Sequence, residues 1–234
     1  MLLGDNMKYS AIVLAAGSGS RMNLGYNKIL VEINDKPLIT LSVKVFVNDP
    51  NCSELIIVVH NDEINTITSI LSQYQLLHKK CKIVAGGSER QYSVYNGLQS
   101  IKNNIVLVHD GARPFITNKL IETLVTTTNS YDCVIPGVKV KDTIKLVKNN
   151  IIMSTPPREN LYAVQTPQAC ITNLLKHAHD LALKDHYLGT DEASLMEKYL
   201  QTKIKIIDSS YNNIKITTRE DIIIADAIAK NINK

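Results

Sequence analysis

Short, unbroken apolar runs alternate with stretches of helical spacing along the first part of the chain. Ser10–Ala15, Leu55–Val59, Cys81–Ala85, Ile105–Val108 and the shorter Cys133–Ile135 carry no polar alternation. That pattern predicts parallel strands buried on both faces. Between them, Leu38–Val47 follows Pro37, a residue suited to a first helical turn. Glu89–Ile101 places Val94, Leu98 and Ile101 on one helical face, and Asn118–Thr126 groups Leu120 with Leu124. Strand–helix alternation of this kind predicts a doubly wound α/β sheet with right-handed crossovers.

The alternation breaks after Pro136. Residues 138–147 switch to apolar–polar spacing, which predicts a half-exposed strand. Asn149-Asn150 and Ile151–Met153 follow, and the whole reads as a hairpin whose asparagines supply the left-handed turn. A lone hairpin is marginal in water, so a partner subunit is its expected support. Helices are predicted near Ile171–Lys184 and Glu192–Tyr199, a strand over Lys203–Ile207, and a last helix. Thr218-Arg-Glu-Asp221 has capping-box spacing and opens that last helix. No internal repeat or linker interrupts the chain. The expectation is one domain over residues 7–234 with a protruding arm at about 138–160.

Composition narrows the classes. The chain has 234 residues, 44% hydrophobic and 21% charged, ordinary for a globular protein. A formal net charge of +4 falls short of a nucleic-acid binder and suits an anionic small molecule equally well. Cys52, Cys81, Cys133 and Cys170 are too scattered for a local zinc knuckle or redox pair, and read as buried thiols of a reducing compartment. No apolar run reaches membrane-spanning length, and residues 1–9 lack a signal-peptide core, so a cytoplasmic location is expected. Met7 stands close ahead of the first strand, so residues 1–6 are expected to be an upstream start or a foreign remnant.

Candidate chemistry begins at Leu14-Ala-Ala-Gly-Ser-Gly-Ser-Arg-Met22, directly after the first strand. Its small residues let backbone N–H groups approach a phosphate or a base edge. The third glycine of a dinucleotide loop and the Gly-Lys-Ser/Thr of a P-loop are both absent. Arg21 and Lys28 instead follow the glycines, a pairing suited to a triphosphate; a tight turn with two solvated cations is the plainer alternative. Val108-His-Asp-Gly-Ala-Arg-Pro114 puts Asp110 at a strand's carboxyl end, where open α/β sheets bind ligands. Asp110 is placed to hold Mg²⁺ with water and phosphate, and Arg113 to bind phosphate or pair with Asp110, although the segment also reads as a structural turn. His109 is expected to be a packing residue. Further on stand Arg158 after two prolines, Gln165, Thr166 and Gln168 in an apolar strand, Thr190 as a helix cap, and Lys215 inside a strand pattern.

Seven motifs occur in order: Ala15-Ala-Gly-x-Gly-x-Arg-Met22, Gly86-Gly-x-x-Arg-x-x-Ser93, His109-Asp-x-Ala-Arg-Pro114, Asp142-Thr143, Gln165-Thr-Pro-Gln168, Thr190-Asp-Glu-Ala193 and Asn213-Ile-Lys215. Together they resemble the 2-C-methyl-D-erythritol 4-phosphate cytidylyltransferases, from about Tyr9 to Ala229. The resemblance implies a Rossmann-like, nucleotidyltransferase-type α/β domain with a mostly parallel sheet and helices on both faces. It also implies a homodimer of swapped β-arms, CTP and methylerythritol phosphate as substrates, and Mg²⁺. Arg21 and Lys28 would stabilise the transition state, and Asp110 would hold the metal. Arg158 from the partner's arm and Lys215 would position the attacking phosphate. Arg113, Thr143, Thr166 and Thr190 would line that substrate; Ala15, Ala16, Gly17, Gly87 and Ser93 would hold the cytidine. Two departures stand out. Asn27-Lys28-Ile29 replaces the family's common Pro-Lys-Gln, so a looser loop is expected, and Ser88 stands where Asp is common. Rival readings are a ribitol 5-phosphate cytidylyltransferase and a non-catalytic CTP-binding regulator. Ala15-Ala16-Gly17 with Thr190-Asp-Glu-Ala193 disfavours the first, and the full cationic set disfavours the second.

Overall fold

The computed structural model describes residues 7–17 and 27–232. In chain order the elements are β1 (Tyr9–Ala15), the short pair β2 (Glu32–Ile33) and β3 (Lys36–Pro37), α1 (Leu38–Asn48), β4 (Cys52–Val59), α2 (Ile64–Gln73), β5 (Cys81–Ala85), α3 (Arg90–Leu98), β6 (Ile105–Asp110) and α4 (Asn118–Thr127). There follow β7 (Cys133–Lys139), β8 (Leu146–Lys148), β9 (Ile151–Ser154), β10 (Tyr162–Val164), β11 (Gln168–Ile171), α5 (Thr172–Lys184), α6 (Glu192–Leu200), β12 (Ile204–Asp208) and α7 (Arg219–Ile232).

The central sheet runs β5-β4-β1-β6-β11-β7, with β10 and β12 also paired to β7. β1 lies parallel between β4 and β6, β5 extends that set, and β12 is parallel to β7. β11 enters antiparallel between β6 and β7, and β10 is antiparallel to β7. The unbroken apolar runs are explained by burial on both sides. Ala11, Val13, Ile57 and Leu107 face a core completed by Phe46 of α1, Leu71 of α2 and Leu124 of α4. Ile12, Val58, Val106 and Val108 face the other core, with Leu98 of α3, Leu175 of α5 and Met196 of α6. A third cluster packs Ala225 and Ala229 of α7 on Ile33, Leu38 and Ile216.

The hairpin β8–β9 turns through Asn149 and Asn150 at φ 51° and 61°, the left-handed geometry the sequence predicts. Residues 138–147 are not one strand. Val138 and Lys139 continue β7 because Ala163 and Tyr162 of β10 pair with them; the chain then leaves the sheet until Leu146. Helix α2 is absent from the sequence expectation: its Thr- and Ser-rich pattern buries only Ile67 and Leu71. Helix α6 is capped by Asp191, not Thr190, in a capping box with Ser194. At α7 the Asp221 carboxylate accepts the Thr217 and Thr218 N–H groups, the reach-back half of the expected box. Among the described residues, no helix is long and apolar enough to cross a membrane.

Candidate active site

The carboxyl ends of β1, β4, β5 and β6 open into a cavity of about 480 Å³. Ala15, Ala16 and Gly17 form one wall where β1 ends, and His60 lies beyond the end of β4. The loop after β5 supplies Gly87, Ser88, Glu89 and Arg90, and β6 ends on Asp110. Lys28 and Lys215 complete the lining from elsewhere in the chain.

The Gly86-Gly87 loop after β5 is pinned at both ends. The Gly86 N–H donates to the Val59 carbonyl (2.8 Å), and a Cβ at Gly86 would meet the Ala16 Cβ at 2.6 Å, so only glycine fits. The Ser93 hydroxyl accepts from the Gly87 N–H at 3.0 Å and donates to the Glu89 carbonyl at 3.1 Å. Helix α3 then starts at Arg90 with no side-chain cap; Glu89, Arg90 and Ser93 at that end line the cavity, where the helix N-terminus favours negative charge.

Asp110 is the electrostatic centre. Its Oδ2 pairs with Lys215 Nζ at 2.6 Å, and its Oδ1 with Arg90 Nε at 3.3 Å. The other end of Arg90 forks onto Glu192 of α6 at 2.8 and 3.1 Å. Burial alone would raise the Asp110 pKa, but Arg90 and Lys215 outweigh it and hold the carboxyl well below the usual carboxylate range. Burial raises Glu192 despite the Arg90 fork. Arg90 itself is raised: Glu192 and Asp110 overcome its own desolvation.

Behind Asp110 lies a fixed polar relay. The buried His109 Nε2–H donates to the Arg113 carbonyl (3.0 Å), which leaves Nδ1 to accept from the Thr166 hydroxyl (3.1 Å). That hydroxyl in turn accepts the Asp110 N–H at 3.0 Å. Burial brings His109 down to about 4, so the neutral tautomer is kept. His109 therefore packs and orients, as expected.

Ala15, Ala16, Gly17, Lys28, Gly87, Ser93, Asp110 and Lys215 are thus brought together. Other expected positions are not in this cavity within one chain. The Arg113 guanidinium is buried and donates to the Asn213 carbonyl at 2.7 Å, and the Thr166 hydroxyl is consumed by His109 and Asp110. Thr143 is exposed on the arm, and Thr190 is exposed ahead of α6. Arg158 is also exposed, in a 3-10 turn, and its Nη1 donates to the Lys141 carbonyl at 2.8 Å. Arg21 lies outside the described residues. Lys215 is in no strand; residues 212–217 are irregular, held by the Ile216 N–H donating to the Ala112 carbonyl at 2.9 Å. Over its described part, residues 27–30, the Lys28 turn is tied down. Asn27, at the proline-like φ of −66°, caps it and bonds outward. Arg90 and Glu192 were not expected as site residues; their only sequence signal is membership of two of the shared motifs.

Among the described residues no three His, Cys, Asp or Glu side chains gather as a metal site. Asp110 offers the single carboxylate that Mg²⁺ commonly takes with substrate phosphates and water, and in the chain alone its two oxygens face cations instead, Lys215 on Oδ2 and Arg90 on Oδ1.

A family model described as IspD, 2-C-methyl-D-erythritol 4-phosphate cytidylyltransferase, matches residues 9–231. A cytidylyltransferase of that name from Geobacillus thermodenitrificans is 46% identical over 223 residues, covering 95% of this chain and 97% of its own. Its namesake from Halalkalibacterium halodurans is 45% identical over the same length and coverage. Among solved structures, the 4-diphosphocytidyl-2C-methyl-D-erythritol synthase of Anaerococcus prevotii superposes with TM-score 0.84 at 30% identity, covering 97% of this chain and all of that one. The Francisella tularensis cytidylyltransferase gives 0.78 at 29% identity, covering 94% and 99%.

Proposed function

This chain belongs to the 2-C-methyl-D-erythritol 4-phosphate cytidylyltransferase family, and from that premise we infer how its cavity works. The enzyme transfers a cytidylyl group from CTP to 2-C-methyl-D-erythritol 4-phosphate, giving 4-diphosphocytidyl-2-C-methyl-D-erythritol and pyrophosphate for isoprenoid precursor synthesis. A phosphate oxygen of the alcohol phosphate forms a bond to the α-phosphorus of CTP. The α–β bridging bond breaks, and its electron pair leaves with pyrophosphate. No protein nucleophile is needed.

The observation that carries this reading is the convergence of Lys28, Lys215 and Arg90 with Asp110 around one cavity that Ala15, Ala16 and Gly17 wall on one side. Two anions must meet there, and fixed cations offset their repulsion and stabilise charge developing on the α-phosphoryl group. Lys28, with Arg21, serves that charge. Lys215 positions the attacking phosphate. Ala15, Ala16, Gly17, Gly87 and Ser93 present the cytidine wall. Asp110 would hold a divalent cation, Mg²⁺, which when bound would supply further charge neutralisation. Residues 7–234 act as one cytoplasmic catalytic domain. Residues 138–160 form an arm exchanged in a homodimer, which would carry Arg158, Thr143 and their neighbours to the partner's substrate phosphate. The arm's exposed Leu146, Ile151, Ile152 and Met153 support that role.

Pyrophosphate release with CTP and a panel of sugar-alcohol phosphates tests the reading. Methylerythritol phosphate should turn over fastest, and faster turnover with ribitol 5-phosphate would overturn it. Lys28→Ala should keep the fold and lower kcat by about 10²–10³, the usual effect of removing one preorganised donor.

A further inference from the structure

The turn that carries Lys28 is gripped on both sides. Ile29 is 2% exposed in the core and Asn27 is 4% exposed. The whole Asn27 carboxamide is engaged. Its Nδ2 donates to the Ala15 carbonyl at 3.0 Å and to the Glu63 carboxylate at 2.7 Å, while its Oδ1 accepts the Ile29 N–H at 3.2 Å. These bonds join the end of β1, the lysine turn and the 3-10 segment Asn61–Glu63 that leads into α2. His60, just ahead of that segment, lines the cavity, but neither Asn27 nor Glu63 does. Their arrangement therefore acts on a ligand only through what it holds.

We propose that Asn27 and Glu63 form a positioning clasp that sets the Lys28 ammonium against the reacting phosphoryl group. This rests on the role of Lys28 given above. A long lysine side chain finds the transition state reproducibly only if its backbone is fixed, and a misplacement of about 1 Å can reduce turnover by roughly 10²-fold. Since Lys28 acts on charge that develops in the transition state, loosening its base should reduce kcat and leave the KM for CTP almost alone.

The experiment measures kcat, KM for CTP and Tm for variants of the full chain by pyrophosphate release. Asn27→Ala should lower kcat about tenfold with KM within about twofold, and should have no further effect when Lys28→Ala is already present. Asn27→Asp keeps the size and the cap on Ile29 but sets a carboxylate against Glu63. It should lose activity too, and adding Glu63→Gln, which supplies a donor, should recover part of it. Full kcat in a folded Asn27→Ala protein, or a loss that multiplies with that of Lys28→Ala, would overturn the clasp. An impaired Lys28→Ala beside an unimpaired Asn27→Ala sinks the clasp alone; an unimpaired Lys28→Ala sinks the role of Lys28 and the clasp with it. Should Asn27→Ala fail to fold, the half-buried partner decides. Glu63→Ala should lower kcat and Glu63→Gln, which keeps an acceptor, should restore it; equal rates would count against the proposal.

Discussion

Arg90 stands between two buried carboxylates, and its removal would leave the Glu192 carboxyl without its ion-pair partner at 1% side-chain exposure, where it must either stay an unpaired charge or take up a proton. Breaking a buried pair from one side costs about 3–5 kcal/mol. Arg90→Ala should therefore lose stability of that order in denaturant titrations, and Glu192→Gln in the same chain should recover most of it. Arg90→Lys should not substitute, because one ammonium cannot reproduce the fork onto Glu192. At this scale, Asp110 was legible because it ends an apolar run, and Lys28 because it follows a glycine loop. Arg90 and Glu192 were not: 102 positions separate them, and each alone reads as a surface charge in a first helical turn. The resemblance implies a substrate contact for the Thr166 hydroxyl. Its commitment to His109 becomes visible only when β6 and the turn before β11 are laid side by side.

Elements terminate where their backbone groups find other partners. Helix α1 ends under Lys80, whose ammonium donates to the carbonyls of Phe46, Asp49 and Cys52, each at 2.9 Å. Lys80→Met keeps the aliphatic stem and loses those bonds. It should lower stability by at least about 1.5–3 kcal/mol, the range for a single hydrogen bond to a charged group, with turnover of the folded protein intact. The strands were readable because burial on both faces leaves unbroken apolar runs. Helix α2 was not, because only Ile67 and Leu71 of its ten residues are buried. The expected strand over 138–147 failed for a non-local reason: pairing with β10 ends at Lys139. The arm carries its own prediction. Mixing Arg158→Ala with Lys28→Ala protein under conditions of subunit exchange should restore activity above that of either variant, since one site in the mixed dimer would be intact. No recovery despite proven exchange would place the whole site within one chain.

Across the whole molecule, buried titratable groups set the response to acid. His179 on α5 is fully buried, and both ring nitrogens lack hydrogen-bond partners among the described residues. Burial, reinforced by the nearby Arg90, takes its pKa down from 6.5 to about 4. The unfolded chain takes up that proton as pH falls below 6.5, while the folded chain refuses it until about 4. Stability should thus decline over that window by about 1.4 kcal/mol per pH unit from this residue alone. His179→Leu should flatten the slope by the same amount, and an unchanged slope would mean that the imidazole is charged in the folded state. The doubly wound class was legible from strand–helix alternation, but the place of β11 was not, because no local pattern marks an antiparallel strand inserted between β6 and β7. That insertion bears on the order in which the ribosome delivers the chain. Residues 9–110 supply four parallel strands of the central sheet, with β6 an open margin awaiting residues 168–171. Bare strand margins recruit other chains. A nascent polypeptide stalled between residues 110 and 168 would display the buried strand β6 uncapped, and such fragments should precipitate on release.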